Sequence, residues 1–171
     1  MHYVVGLGNP GEEYELTRHN TGRIILADFD GGKNIKVIFP DNFMNNSGKI
    51  LKPIITSKNK AHNLIVVHDD LDLPLGKFKI VFNRDSAGHK GVESIIKNIK
   101  TKEFVRIRVG ISPVTPSGKI KKPDAKKVIN HIIGKFKPIE LKTIKKLSKK
   151  ITSAIEMIID EGVQKAMSIY N

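Results

Sequence analysis

The chain has 171 residues, with 30 Lys and Arg against 17 Asp and Glu, for a formal net charge of +13. The absence of cysteine excludes disulfides, thiolate metal sites and a thiol nucleophile, and the apolar runs are too short to cross a bilayer as helices. The opening MHYVVGLG lacks a basic segment followed by a long apolar run, so it does not read as a secretion signal, and a cytoplasmic protein is expected.

The first predicted element is a strand over His2–Gly6, an apolar β-branched run that ends in the glycine-rich turn GLGNPG. Gly6, Gly8 and Gly11 have the spacing of the dinucleotide fingerprint, and Asp28 stands near the ribose-binding distance. That fingerprint places phosphates at a helix N-terminus. Here Glu12 and Glu13 follow Gly11 directly and would compete for the same position. The turn therefore reads as a loop that closes a strand and points Asn9 and His19 at one site. Gly8 and Gly11 would give it backbone freedom, and Pro10 would fix its course.

A second strand is predicted over Ile35–Phe39, followed by a helix within Asn42–Ser57. Leu64–Val67 is a continuous apolar run, which suits a strand covered on both faces. Further strands are expected over Phe78–Phe82 and Val105–Ile111, with a helix between them that sets Val92, Ile95, Ile96 and Ile99 on one face. Ser112–Pro123, with three prolines, reads as a loop.

The last element is a long helix with a stripe from Leu141 through Ile144, Leu147, Ile151, Ile155 and Ile158 to Ile159, Pro138 at its start and Gly162 at its stop. Its other side carries Lys142, Lys145, Lys146, Lys149 and Lys150, a solvated face or an RNA-binding one. Residues 119–150 hold 12 Lys and 2 acidic residues. So clustered an excess suits a polyanionic partner, because lysines that neutralise phosphates release counterions. Strands alternating with helices predict a single α/β domain over residues 1–171, with a mixed twisted sheet flanked by helices and its site beyond the carboxyl ends of strands.

Four stretches carry candidate chemistry. His19 is a candidate general base, since an imidazole beside a carboxylate is poised near neutral pH. VVHDDLDLP, residues 66–74, offers Asp69, Asp70 and Asp72 as that carboxylate. NFMNNSGK, residues 42–49, is rich in amides that can donate to a carbonyl, and AGHKG follows at residues 87–91. His68, Asp70 and Asp72 alternate at a strand end and could also mimic a divalent-metal site.

These stretches together resemble the bacterial peptidyl-tRNA hydrolases. That family carries GLGNPG…Y…TRHN, FMNxSG, HD[DE]LDLP, GxHNG and RxRxGI in this order. The counterparts here are Gly6–Asn20, Phe43–Gly48, His68–Pro74, Gly88–Gly91 and Arg106–Ile111. The resemblance implies hydrolysis of the ester between a peptide and the 3′ ribose of tRNA by a monomer without metal or cofactor. It implies His19 as the base that activates water and Asp69 as the support of its other ring nitrogen. Asn45 would orient the ester and donate to the oxyanion, and Asn9 would sense the first peptide carbonyl. Tyr14 and Phe43 would face the tRNA 3′ end, with core packing as the other reading of Phe43, and Arg108 would lie near the 5′ phosphate.

Two features depart from that pattern. Lys90 stands where the family has asparagine, and it can donate but not accept; it is expected to contact substrate without doing chemistry. Residues 21–34 are short where the family has a longer helix and a further strand. Two other functions fit parts of the sequence: an RNA-binding module without catalysis, and a metal-dependent phosphoesterase built on His68, Asp70 and Asp72.

Overall fold

The computed structural model describes residues 1–171. Five strands, β1 (His2–Gly6), β2 (Ile35–Ile38), β3 (Leu64–Pro74), β4 (Phe78–Phe82) and β5 (Val105–Ser112), form one sheet in the order β2-β1-β3-β5-β4. All neighbours are parallel except β4 and β5, so the sheet is mixed. Seven helices surround it: α1 (Thr21–Leu26), α2 (Ser47–Leu51), α3 (Lys58–His62), α4 (Lys90–Ile99), α5 (Val128–Ile133), α6 (Pro138–Glu161) and α7 (Val163–Tyr170).

The period of two in the strands divides the interior into two cores. Val4, Ile65, Val67 and Ile107 face Ile144, Ile151 and Ile155 of α6. Tyr3, Val5, Leu64 and Val66 face Leu51 of α2 with Val92 and Ile95 of α4. Because both faces of β3 are covered, its sequence is apolar without alternation. Each isoleucine of the α6 stripe that leaves water contributes about 1.5–3 kcal/mol before entropy is counted.

Local chemistry sets the element ends. Pro138 occupies the first turn of α6, and the Glu140 carboxylate accepts from the Lys137 backbone N–H at 2.7 Å. Gly162, at φ 90°, stops α6 and lets the chain turn into α7. The stretch predicted as a helix within residues 42–57 is shorter: a 3₁₀ turn over Met44–Asn46 leads into five-residue α2, which ends ahead of Pro53. Pro53 has no backbone N–H to donate to the Lys49 carbonyl, so the helical ladder cannot continue through it. Between α1 and β2 the chain forms neither further helix nor strand, so β2 is the edge of the sheet.

Candidate active site

The polypeptide between β1 and α1 is held at both ends. The Asn9 backbone N–H donates to the Asn20 side-chain oxygen at 2.8 Å, and the Asn20 amide donates back to the Asn9 carbonyl at 2.9 Å. Gly11 sits at φ 109°, a conformation that side chains resist. Gly8 has ordinary angles and is needed for space instead, since a Cβ there would lie 2.9 Å from the Asn20 side chain. Arg18 fastens the same loop to α6 through Glu140, at 2.9 Å. A 3₁₀ turn over Arg18–Asn20 then presents His19, which is buried.

β3 runs past the predicted Val67 to Pro74, and this extension carries Asp69 to His19. Each carboxylate oxygen of Asp69 lies 3.0 Å from Nδ1 of His19. A second imidazole joins them: Nε2 of His89 lies 2.9 Å from Asp69 Oδ1. The proton positions follow from the partners. His89 accepts from the Val92 backbone N–H through Nδ1, at 3.3 Å, so its proton is on Nε2 and points to Asp69. His19 must likewise donate through Nδ1, which leaves Nε2 with a free lone pair. One carboxylate thus receives two imidazole N–H groups.

The electrostatics agree with that arrangement. Burial pulls the His19 imidazole down, but the charge and hydrogen bond of Asp69 outweigh it and hold His19 above the ordinary histidine value. Burial would raise the Asp69 carboxyl, and the two imidazoles reverse this and hold it well below the usual carboxylate range. An imidazole of raised proton affinity and an ionised carboxylate are therefore paired in a mostly dry setting.

The pair lines a cavity of about 500 Å³, walled by His89, Lys90, Lys122, Leu71 and the α5 residues Val128, Ile129 and Ile132. A larger cleft of about 790 Å³ lies between α1, Phe39 and α6, and it contains neither His19 nor Asp69.

The other predicted residues fall around this centre. Asn9 accepts from the Met44 backbone N–H at 2.8 Å, tying the first loop to the asparagine-rich segment. Asn45 is exposed, and its side-chain oxygen lies 3.4 Å from the Asn46 amide. Phe43 is 56% exposed, which rules out the core reading, and stands edge-on to Tyr14 with ring centres 6.1 Å apart. Arg108 binds Asp70 through Nε at 2.6 Å. Lys90 is exposed and pairs with Glu93 at 3.0 Å on its own helix.

The proposed metal set does not assemble. Asp70 is taken up by Arg108 and the Asp72 backbone N–H, at 2.7 Å; Asp72 pairs with Lys122; and His68 donates to the Asp69 carbonyl at 2.7 Å. The alternation along β3 that suggested three convergent ligands places them against separate partners. Sequence reasoning missed His89. Its motif, AGHKG, is visible in the sequence, but spacing alone does not reveal that the N-terminus of α4 brings this ring back to β3.

The peptidyl-tRNA hydrolase family model matches residues 3–30 and 26–171, two pieces that overlap over residues 26–30. A peptidyl-tRNA hydrolase of Thermodesulfovibrio yellowstonii is 38% identical over 197 aligned positions, covering 100% of this chain and 99% of the relative. One from Fervidobacterium nodosum is 39% identical over 184 positions, covering 98% of this chain and 94% of the relative. A crystal structure of the enzyme from Acinetobacter baumannii superposes with a TM-score of 0.85 at 26% identity, covering 100% of this chain and 94% of that one. With its motifs, its sheet and its whole length thus matched, the chain belongs to the peptidyl-tRNA hydrolase family.

Proposed function

We propose that this protein hydrolyses peptidyl-tRNA, cleaving the ester between an N-blocked peptide and the 3′ ribose, with His19 as the base. The observation that carries the reading is the contact between His19 Nδ1 and both oxygens of Asp69, at 3.0 Å, in the wall of a cavity. Water gives its proton to His19 Nε2 as it attacks the ester carbonyl, and Asp69 stabilises the imidazolium that forms. The tetrahedral intermediate then collapses, and the proton passes to the departing ribose oxygen. Acid–base help of this kind is worth about 10²–10⁴ in rate.

Asn45 donates to the developing oxyanion, a role worth about 10²–10³ in rate where one such donor has been removed. Its exposed position and weak hold on Asn46 support that freedom to turn. Asn9, whose oxygen is engaged by Met44, offers its amide N–H to the first peptide carbonyl. The edge-on pair of half-buried Tyr14 and exposed Phe43 gives the unpaired 3′ bases faces to stack on. Arg108 keeps Asp70 on Nε and has its terminal nitrogens for the 5′ phosphate. Lys90 adds positive charge at the cavity mouth and takes no part in the chemistry. Residues 21–34 are a shortened form of the family's segment, and the division of the family match at residues 26–30 supports this. The protein acts as a monomer in the cytoplasm without metal or cofactor; no helix is long and apolar enough to cross a membrane.

The test is release of N-acetylated amino acid from charged tRNA, with and without a chelator. Turnover that a chelator does not affect is expected. Binding of tRNA without turnover would leave an RNA-binding module, and loss of turnover on chelation would favour metal-dependent chemistry.

A further inference from the structure

His68 is the buried imidazole that the mechanism above does not use. It is 1% exposed, and its two nitrogens are treated differently. Nδ1 donates to the backbone carbonyl of its neighbour Asp69 at 2.7 Å, whereas Nε2 is buried with no hydrogen-bond partner. Its ring also stands edge-on to His89, with centres 4.6 Å apart, and His89 in turn lies 5.0 Å from the ring of His19. Three imidazoles are therefore gathered around one carboxylate, two of them bonded to it and the third bonded to its backbone.

An unpartnered buried nitrogen costs free energy, and an apolar side chain of similar size would fill the space without that cost. The features an apolar residue could not supply are the N–H to the Asp69 carbonyl and a flat ring against His89. Both act on groups that must be aimed correctly. The Asp69 side chain cannot hold its position between two imidazoles if its own peptide unit rotates. His89 projects from a loop that contains Ala87 at φ 50° and exposed Gly88, so its ring needs a wall. Burial, with His89 and Arg106 nearby, keeps His68 uncharged, so it adds no second cation to compete for Asp69.

We propose that His68 is a positioning residue for the hydrolysis: a neutral ring that fixes the Asp69 peptide and backs His89, while touching no reacting atom. The proposal rests on the reading of His19 and Asp69 as the base and its support. Misplacement of a reacting group by about 1 Å costs on the order of 10²-fold in rate.

His68→Leu retains volume and loses the donor; His68→Asn retains an N–H near the position of Nδ1. The leucine variant is expected to lower kcat by roughly ten- to a hundredfold with KM within about threefold, and the asparagine variant to recover at least a third of that loss on a logarithmic scale. An unchanged kcat in His68→Leu would overturn the proposal, as would equal losses in both variants or an effect confined to KM. Should His68→Leu fail to fold, ¹⁵N resonances of the unaltered protein decide. His68 is expected to remain neutral with its proton on Nδ1 from roughly pH 5 to 8, the range in which ordinary histidines titrate. Titration within that range, or a proton on Nε2, would overturn it. Because this readout needs no substrate, it stands apart from failure of the hydrolysis itself.

Discussion

Two hollows flank the same loop, and they differ in kind. The cleft of about 790 Å³ is bounded by Arg23, Phe29, Phe39 and Lys149, with acidic and basic groups scattered around its rim. The cavity of about 500 Å³ is smaller but holds His19 and His89, both bonded to Asp69 at 2.9–3.0 Å. Volume does not distinguish them as candidate sites. What sets the smaller apart is convergence of mostly dry titratable groups, with His19 raised and Asp69 lowered by their pairing.

The contrast can be broken most severely at His19. His19→Ala is expected to reduce kcat by roughly 10³-fold while tRNA binding measured by filter retention is kept; retention of more than a tenth of the activity would place the base elsewhere. A smaller effect is expected at the aromatic pair. Phe43→Ala should weaken substrate by about 1–3 kcal/mol, read as a higher KM with little change in kcat, because one stacking face is lost.

How much of this was legible in the sequence depended on the kind of force involved. Four of the five strands end within a residue of their predicted bounds, because β-branched runs bounded by Gly, Pro and Asn report local preference and burial together, whereas β3 runs on from Val67 to Pro74 through a polar stretch that carries no such signal. The long α6 was legible for the same reason, its stripe having a partner on the sheet. Residues 42–57 were less so. Their apolar spacing fits a helix, but Pro53 and the 3₁₀ turn at Met44–Asn46 divide the run. In the site, His19 and Asp69 were named through motif resemblance. The contact of His89 with Asp69 was not, because it depends on the path of the loop over residues 83–89. Asp70 and Asp72 looked like ligands in a period-two pattern, and only the tertiary partners Arg108 and Lys122 show what each binds.

Lys90→Asn sharpens the comparison at the cavity mouth. Since Lys90 pairs with Glu93 on the surface, the change should alter turnover by less than about tenfold, an effect expected of a screened exposed charge. A far larger loss of turnover would bring this side chain into the chemistry. The smallest effect is expected in the larger cleft. Ser148→Leu, which fills part of it, should leave kcat within about twofold, as for surface changes distant from a site. Strong inhibition there would show that the two hollows are coupled.

The most direct test of the central claim is the pH dependence of kcat/KM for the unaltered protein and for Asp69→Asn. His19 must be neutral to accept a proton, so the rate should rise with pH through a midpoint above the ordinary histidine value of 6.5. In Asp69→Asn the charge that raises His19 is gone and burial remains, so the midpoint should move lower while the plateau falls about 10²-fold. A midpoint unmoved by the substitution, or a rate indifferent to pH across this range, would contradict the pairing of His19 with Asp69 as the catalytic base.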